Sequence, residues 1–292
     1  MNPSSASGSK LLADFLCAPI SMRSDRLFAL VRNLNAGLAR AADDATPGDD
    51  PECLPWDAPL YSVENGIAVL DVQGELVKGY DAFTCWAWGL ASIDRLQAAV
   101  SEIASRPDVA AVIFRINSPG GGVTGTPELA AQIIELGQSR LTVAFTSDMA
   151  CSGAYWIASA CRQVLTTPSA GLGSIGVFIA LYDYTEMLKE MGIKLELFAA
   201  GDYKAMGIAG NPLTDTQRAF LTEMVGRIYA QFTGFVRARR GAVADSTMQG
   251  QWFDGAQAVS LNLADRCVSG LPEVVAEIRA ALNLAMQSAG LS

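Results

Sequence analysis

Apolar positions along this chain fall into two kinds of run that take turns. Short, near-continuous stretches such as Val109-Ala-Ala-Val-Ile-Phe-Arg-Ile116 and Leu141-Thr-Val-Ala-Phe-Thr146 predict strands in a sheet covered on both faces. Gly66 to Val72, Gly74 to Val77, Gln163 to Thr166, Gly173 to Val177 and Leu195 to Phe198 predict further strands. Between them the apolar residues recur at helical spacing. Ile93, Leu96, Val100 and Ile103 make one face, stopped by Arg106-Pro107. Pro127 and Glu128 open a helix carrying Leu129, Ile133, Ile134 and Leu136. Ala154 to Ala160 predicts an apolar helix packed through Tyr155, Ile157 and Ala158, and another helix is predicted near Tyr182 to Met191. Repeated βα units predict an α/β fold whose sites gather at the carboxyl ends of strands.

The C-terminal part is predicted to be helical. Thr214-Asp-Thr-Gln217 has the form of a capping box. It opens a long helix with Phe220, Met224, Ile228, Phe232 and Phe235 on one face, ending at Arg237-Ala-Arg-Arg-Gly241. That stripe reads as core or subunit contact. Gln251 to Gly255 is expected to turn before Ala256 to Leu263, and a last helix to run from about Pro272 to Met286. At the other end, residues 1–62 read as an arm. Ser24 or Asp25 would cap one amphipathic helix through Leu27, Leu30, Val31, Leu34 and Leu38. Ala42-Asp-Asp-Ala-Thr-Pro-Gly-Asp-Asp-Pro51 follows as an acidic Pro/Gly linker, expected to be mobile. The arm is either a solvated tail or a contact for a partner or a second copy. Residues 63–292 are expected to form the main domain.

Composition narrows the chemistry. The 292 residues are 50% apolar, enough for a sizeable core. A formal net charge of −9 argues against nucleic acid and anionic lipid as partners. There is no run of 18 apolar residues and no basic segment leading into an apolar one at the start, so a cytoplasmic protein without a membrane anchor is expected. Six cysteines without CxxC spacing read as reduced, small apolar fillers. The most informative count is the absence of histidine. It excludes a Ser-His-Asp triad, a Cys-His pair and any His-ligated metal site. No metal and no cofactor are expected.

A hydrolase without histidine needs Lys, Asp, Glu or a terminal amine as its base. Ser152 lies where a predicted strand meets a predicted helix, beside unpaired helix N–H groups that favour an oxyanion. Taken alone, the same position is more commonly that of an N-cap serine. Asn117-Ser-Pro-Gly-Gly-Gly-Val123 sits at another strand end, where glycine lets a backbone approach a ligand. Lys204, in Gly201-Asp-Tyr-Lys-Ala-Met-Gly207, is either a surface lysine or a desolvated base. A lysine ordinarily titrates near ~10.4 and needs burial to be neutral at pH 7. Cys151 is a rival nucleophile, but the chain has no histidine to activate it.

Five segments occur in order: Asn117-Ser-Pro-Gly-Gly-Gly-Val, Met149-Ala-Cys-Ser-Gly-Ala-Tyr-Trp, Gly173-Ser-Ile-Gly-Val, Gly201-Asp-Tyr-Lys, and Phe253-Asp-Gly with Leu261-Asn-Leu-Ala-Asp265. Together they resemble the signal peptide peptidase A (protease IV) family, and within it the lambda-type capsid assembly (prohead) proteases of tailed phages. The resemblance covers about Asn65 to Gly270. It implies a ClpP/crotonase-like α/β fold and an oligomeric serine endopeptidase with a Ser-Lys dyad. Ser152 falls on the family's nucleophile and Lys204 on its general base. The backbone N–H groups of Gly121 and Gly153 fall on the oxyanion donors, and Ser174 on the serine that orients the lysine.

No membrane anchor and a phage-like start point to a head maturation protease acting on scaffold and capsid proteins in the host cytoplasm or procapsid. A soluble peptidase of signal peptides or oligopeptides shares the chemistry. From other classes, a crotonase-like acyl-CoA enzyme and a non-catalytic assembly protein are the alternatives.

Overall fold

The computed structural model of the chain describes residues 55–288 and the backbone of residues 20–22. The expected arm helix and the acidic linker lie outside the described residues. In chain order the first half comprises β1 (Ile20–Met22), β2 (Tyr61–Glu64), β3 (Ile67–Gln73), β4 (Glu75–Val77), α1 (Ala82–Trp88), β5 (Leu90–Ser92), α2 (Ile93–Ser105), β6 (Ala111–Asn117), β7 (Gly120–Gly122) and α3 (Thr126–Ser139). The second half comprises β8 (Leu141–Thr146), β9 (Met149–Cys151), α4 (Gly153–Ala160), β10 (Gln163–Thr166), β11 (Gly171–Gly173), α5 (Thr185–Glu190), α6 (Asp215–Arg240), β12 (Trp252–Asp254), α7 (Gly255–Ser260), β13 (Arg266–Cys267) and α8 (Leu271–Ser288).

The main sheet has six strands in the order β13-β10-β8-β6-β3-β2. All its neighbours run parallel except β2 and β3. Side chains alternate across such a strand, and in β6 both sets are apolar. Val112, Phe114 and Ile116 join the core under α2, α3 and α4. Ala111 and Ile113 face the other way, with Ile67, Val143 and Phe145, against Val274 and Ile278 of α8. Covering both faces is what makes the strand sequence read as continuously apolar. Burying Phe114 alone contributes roughly 2 kcal/mol.

Two small sheets stand at the strands' carboxyl ends. One runs β1-β7-β4-β5, the other β12-β11-β9. The helix ends follow their sequence signals. Thr214 and Gln217 form the capping box of α6, and α2 begins at its cap, Ser92, and stops before Arg106-Pro107. Trp156 of α4 stacks on Phe232 of α6 with ring centroids 4.4 Å apart, so the aromatic stripe is core toward its C-terminal end, while Phe220 at its start is exposed.

Three predicted elements differ. Leu195 to Phe198 forms no strand. Among the described residues it has no strand beside it, and a strand's backbone groups need partners; every residue from 191 to 204 is exposed. The strand expected over Gly173 to Val177 lies earlier, at Gly171–Gly173. Gln251 to Gly255 contains a strand, because Trp252–Asp254 pairs antiparallel with β11. Among the described residues no helix is long and apolar enough to cross a membrane.

Candidate active site

β9 ends at Cys151 and α4 begins at Gly153, leaving Ser152 as the single residue that turns the chain. It does so at φ 54°, ψ −121°, a region that an L-residue occupies at a cost of about 1–3 kcal/mol. Among the described residues four non-glycines have positive φ: Asn65, Ser152, Ser174 and Asn262. Asparagine tolerates that conformation. The remaining two are the serines singled out from sequence.

Neighbouring backbone holds the strained turn. Ser152 N donates to Gly173 O at 2.7 Å, and Trp156 N donates to Ser152 O at 3.0 Å. The residue is 1% exposed. Its hydroxyl makes no capping bond to α4, so the N-cap role that sequence left open is not the one it takes. Instead Oγ lies 3.5 Å from Gly176 O, a long contact. Gly153 opens α4, whose first N–H groups have no partner within the helix. The helix dipole adds positive potential there.

The glycine strand is tied to the same turn. Ser118 N donates to Met149 O at 3.0 Å, and Cys151 N donates to Ser118 O at 3.1 Å. A second link comes from within the loop, where Gly120 N donates to Ser118 Oγ at 3.2 Å. On its far side Gly121 pairs with Leu76 of β4. A Cβ on Gly121 would sit 2.2 Å from Leu76 O, so only glycine allows that approach. These bonds tie the glycine loop to the strand that leads into the Ser152 turn, at the carboxyl ends of β6 and β8.

Ser174 sits one residue past β11, whose Gly173 is in parallel register with Cys151. It is 7% exposed, and its N–H donates to Gln251 O at 2.6 Å. Ser174 and Ser152 therefore leave adjacent strands at the same level. Cys151 is fully buried with Sγ 3.6 Å from Gly171 O, in line with a filler. Burial pushes the Cys85 thiol up to about 11 and raises the Cys161 thiol further, so neither is a ready thiolate.

Lys204 is placed differently. It is exposed, on a turn between α5 and α6, and among the described residues no hydrogen bond or ion pair joins its side chain to Ser152. Backbone and side-chain bonds fix the turn itself. Lys204 N donates to Gly201 O at 3.1 Å, Gln217 Nε2 to Asp202 O at 2.5 Å, and Asn211 Nδ2 to Ala205 O at 2.8 Å. Tyr203 lies on Phe220 of α6 at 5.0 Å. Gln217 thus serves twice, in the capping box and as a tether for the lysine's turn. Only the first role was visible in the sequence. Gly176 was likewise visible as part of a motif, but nothing marked its carbonyl as a serine partner.

Comparison with known proteins adds to this geometry. The chain is 30% identical over 241 residues to capsid assembly protease C of Escherichia phage lambda, covering 82% of this chain and 54% of that protein. It is 29% identical over 228 residues to head-tail preconnector protein GP5 of Enterobacteria phage P21, covering 77% and 45%. The chain thus spans about half the length of these relatives. Among solved structures it resembles a point mutant of ClpP1 from Listeria monocytogenes, with a TM-score of 0.44 and 10% identity over 69% of this chain and 91% of that one. The model of peptidase family S49 matches residues 138–285, just over half of the chain, and that span holds Ser152, Gly153, Ser174 and Lys204. With its strained serine between strand and helix inside that match, the chain belongs to peptidase family S49.

Proposed function

We propose that the chain is a serine endopeptidase with a Ser152–Lys204 dyad, cleaving scaffold and capsid proteins during maturation of a phage or prophage head. In this reading residues 63–292 carry the peptidase domain and residues 1–62 are an N-terminal arm, of which Ile20–Met22 and Tyr61–Ser62 pair into the domain's sheets. The backbone strain at Ser152, buried at the turn from β9 into α4, is the observation that carries the assignment. Strain of this kind collects at reacting groups because the surrounding fold must over-determine it, and a strained strand-to-helix turn is one way to present a nucleophilic serine.

The chemistry runs in two halves. The neutral amine of Lys204 takes the Ser152 hydroxyl proton while Oγ attacks the scissile carbonyl carbon. Gly121 and Gly153 N–H groups donate to the resulting oxyanion. Collapse breaks the C–N bond, and the ammonium returns its proton to the leaving amine. Water then adds to the acyl-enzyme, with the amine again acting as base, and Ser152 is released. Ser174 is assigned to orient the lysine.

A base must be neutral, and removal from water favours the neutral amine. In the single chain Lys204 is exposed within a wholly exposed run, and Phe198 beside it is 93% exposed. We therefore assign this segment to contacts between copies of the chain, which would cover it and complete the site. The substrate class follows the capsid assembly protease relative.

The test is mass-spectrometric mapping of cuts in a peptide library and in purified phage scaffold and capsid proteins. Wild type is compared with Ser152→Ala and Lys204→Ala. Loss of cleavage by more than about 10³-fold in both is expected for members of one catalytic unit. Cleavage surviving in either variant removes that residue from the mechanism.

A further inference from the structure

β7 is three glycines, Gly120–Gly122, and it has strands on both sides. On the inner side Leu76 of β4 pairs with Gly121. On the outer side lies β1, from nearly 100 positions earlier in the chain. β1 runs antiparallel, with Ile20 opposite Gly122, Ser21 opposite Gly121 and Met22 opposite Gly120. β1 is the last strand of its sheet. Without it, the outer edge of β7 would present a row of main-chain donors and acceptors.

An edge of glycines recognises any extended polypeptide, since nothing but main chain takes part. It is also the edge that leads to the reacting serine, because Ser118 ties the glycine loop to β9 on both sides of Ala150. A peptide laid on this edge in the register of β1 passes directly opposite Gly121.

We propose that Ile20–Met22 is a built-in competitor. It occupies the edge on which substrate polypeptide adds as a strand, and substrate must displace it. This rests on the reading of Ser152 and Gly121 given above. The physical balance suits a reversible block. Three residues of pairing are weak, since short strands gain little by themselves. Being part of the same chain raises the local concentration of the segment to the order of millimolar. Free substrate at micromolar concentration would compete poorly until the segment is drawn away or the substrate is itself held close, as inside an assembling particle.

The test uses the full chain and the double variant Ile20→Pro/Ser21→Pro. Alternate residues of an antiparallel strand donate to a given neighbour, so adjacent prolines remove a donor whichever residue faces β7. Two quantities are read: hydrogen exchange at the Gly120–Gly122 amides, and kcat and KM for a peptide from the library. Exchange at least about tenfold faster and kcat/KM raised about tenfold through KM are expected, the scale set by losing a tethered competitor. Unchanged exchange overturns the pairing. Faster exchange with unchanged kcat/KM, or with no cutting by either protein, overturns the competition. Cleavage that persists in Ser152→Ala sinks the nucleophile assignment alone, because neither readout on the double variant requires the nucleophile to be Ser152.

Discussion

As the proposed nucleophile, Ser152 would carry a chemical burden beside its conformational one, and the two can be separated by substitution. Alanine removes the hydroxyl and keeps the Cβ that makes φ 54° costly. Glycine removes both. Ser152→Gly is expected to be inactive, like Ser152→Ala, yet more stable than Ser152→Ala by about 1 kcal/mol, the relief of strain less the chain entropy of glycine. Urea denaturation of the two variants reads the difference. Equal stabilities would mean that the turn is relaxed and that strain is no guide to the site. The sequence placed Ser152 and Ser174 in the right segments but left their conformations unknown, because positive φ at a serine is imposed by neighbours rather than by serine itself.

At the scale of elements, the glycine strand is positioned by what surrounds β4. Lys78, just after β4, pairs with Asp94 in the first turn of α2 at 2.7 Å, and Gly79 N donates to the other carboxylate oxygen at 2.7 Å. The Lys78 contact, with the Gly79 bond second, holds the Asp94 carboxyl below its usual range. A carboxylate with a depressed folded-state pKa stabilises fully above its unfolded value near ~3.9, and the contribution is lost as pH falls through the lower folded value. Both side chains are a third or more exposed, so the effect is small. Wild type is expected to melt about 1–2 °C above Asp94→Asn at pH 7, with the gap closing below pH ~3. A gap that persisted in acid would assign the stabilisation to packing rather than to charge.

For the whole molecule, the contrast between the two halves of the proposed site matters most. Ser152, Gly153 and Ser174 are built into the core, while Lys204 stands on an exposed run. Tyr182, Met187, Met191 and Phe198 are all exposed along or beside it, an apolar surface of the kind that marks an interaction site. If copies of the chain meet there, Phe198→Asp should lower the assembled mass in sedimentation and reduce peptide cleavage in parallel, while thermal unfolding of the separated chain changes little. Cleavage undiminished in a dissociated variant would show that one chain suffices and that Lys204 reaches Ser152 unaided.

Much of this protein was legible one residue after another. Near-continuous apolar strands, helical spacing, the Arg106-Pro107 stop and the Thr214–Gln217 cap are local signals, and local signals are written in neighbouring residues. The missing histidine removed whole classes of chemistry without any structure. The order of motifs around Ser152 and Lys204 pointed to the family to which the chain belongs.

What the sequence could not decide depends on partners far away in the chain. Leu195 to Phe198 has the residues of a strand but, among the described residues, lacks a neighbour to pair with. Trp252–Asp254 became a strand because β11 was available beside it. Ser152 is held in its strained turn by the bond from its own N–H to Gly173 O, while the loop at Ser118 pins Met149 and Cys151 just before it. The pairing of Ile20–Met22 with Gly120–Gly122 carries no local signature, since a main-chain edge accepts many sequences. Strand pairing and strain are settled by non-local contacts, and only the folded chain brings those contacts together.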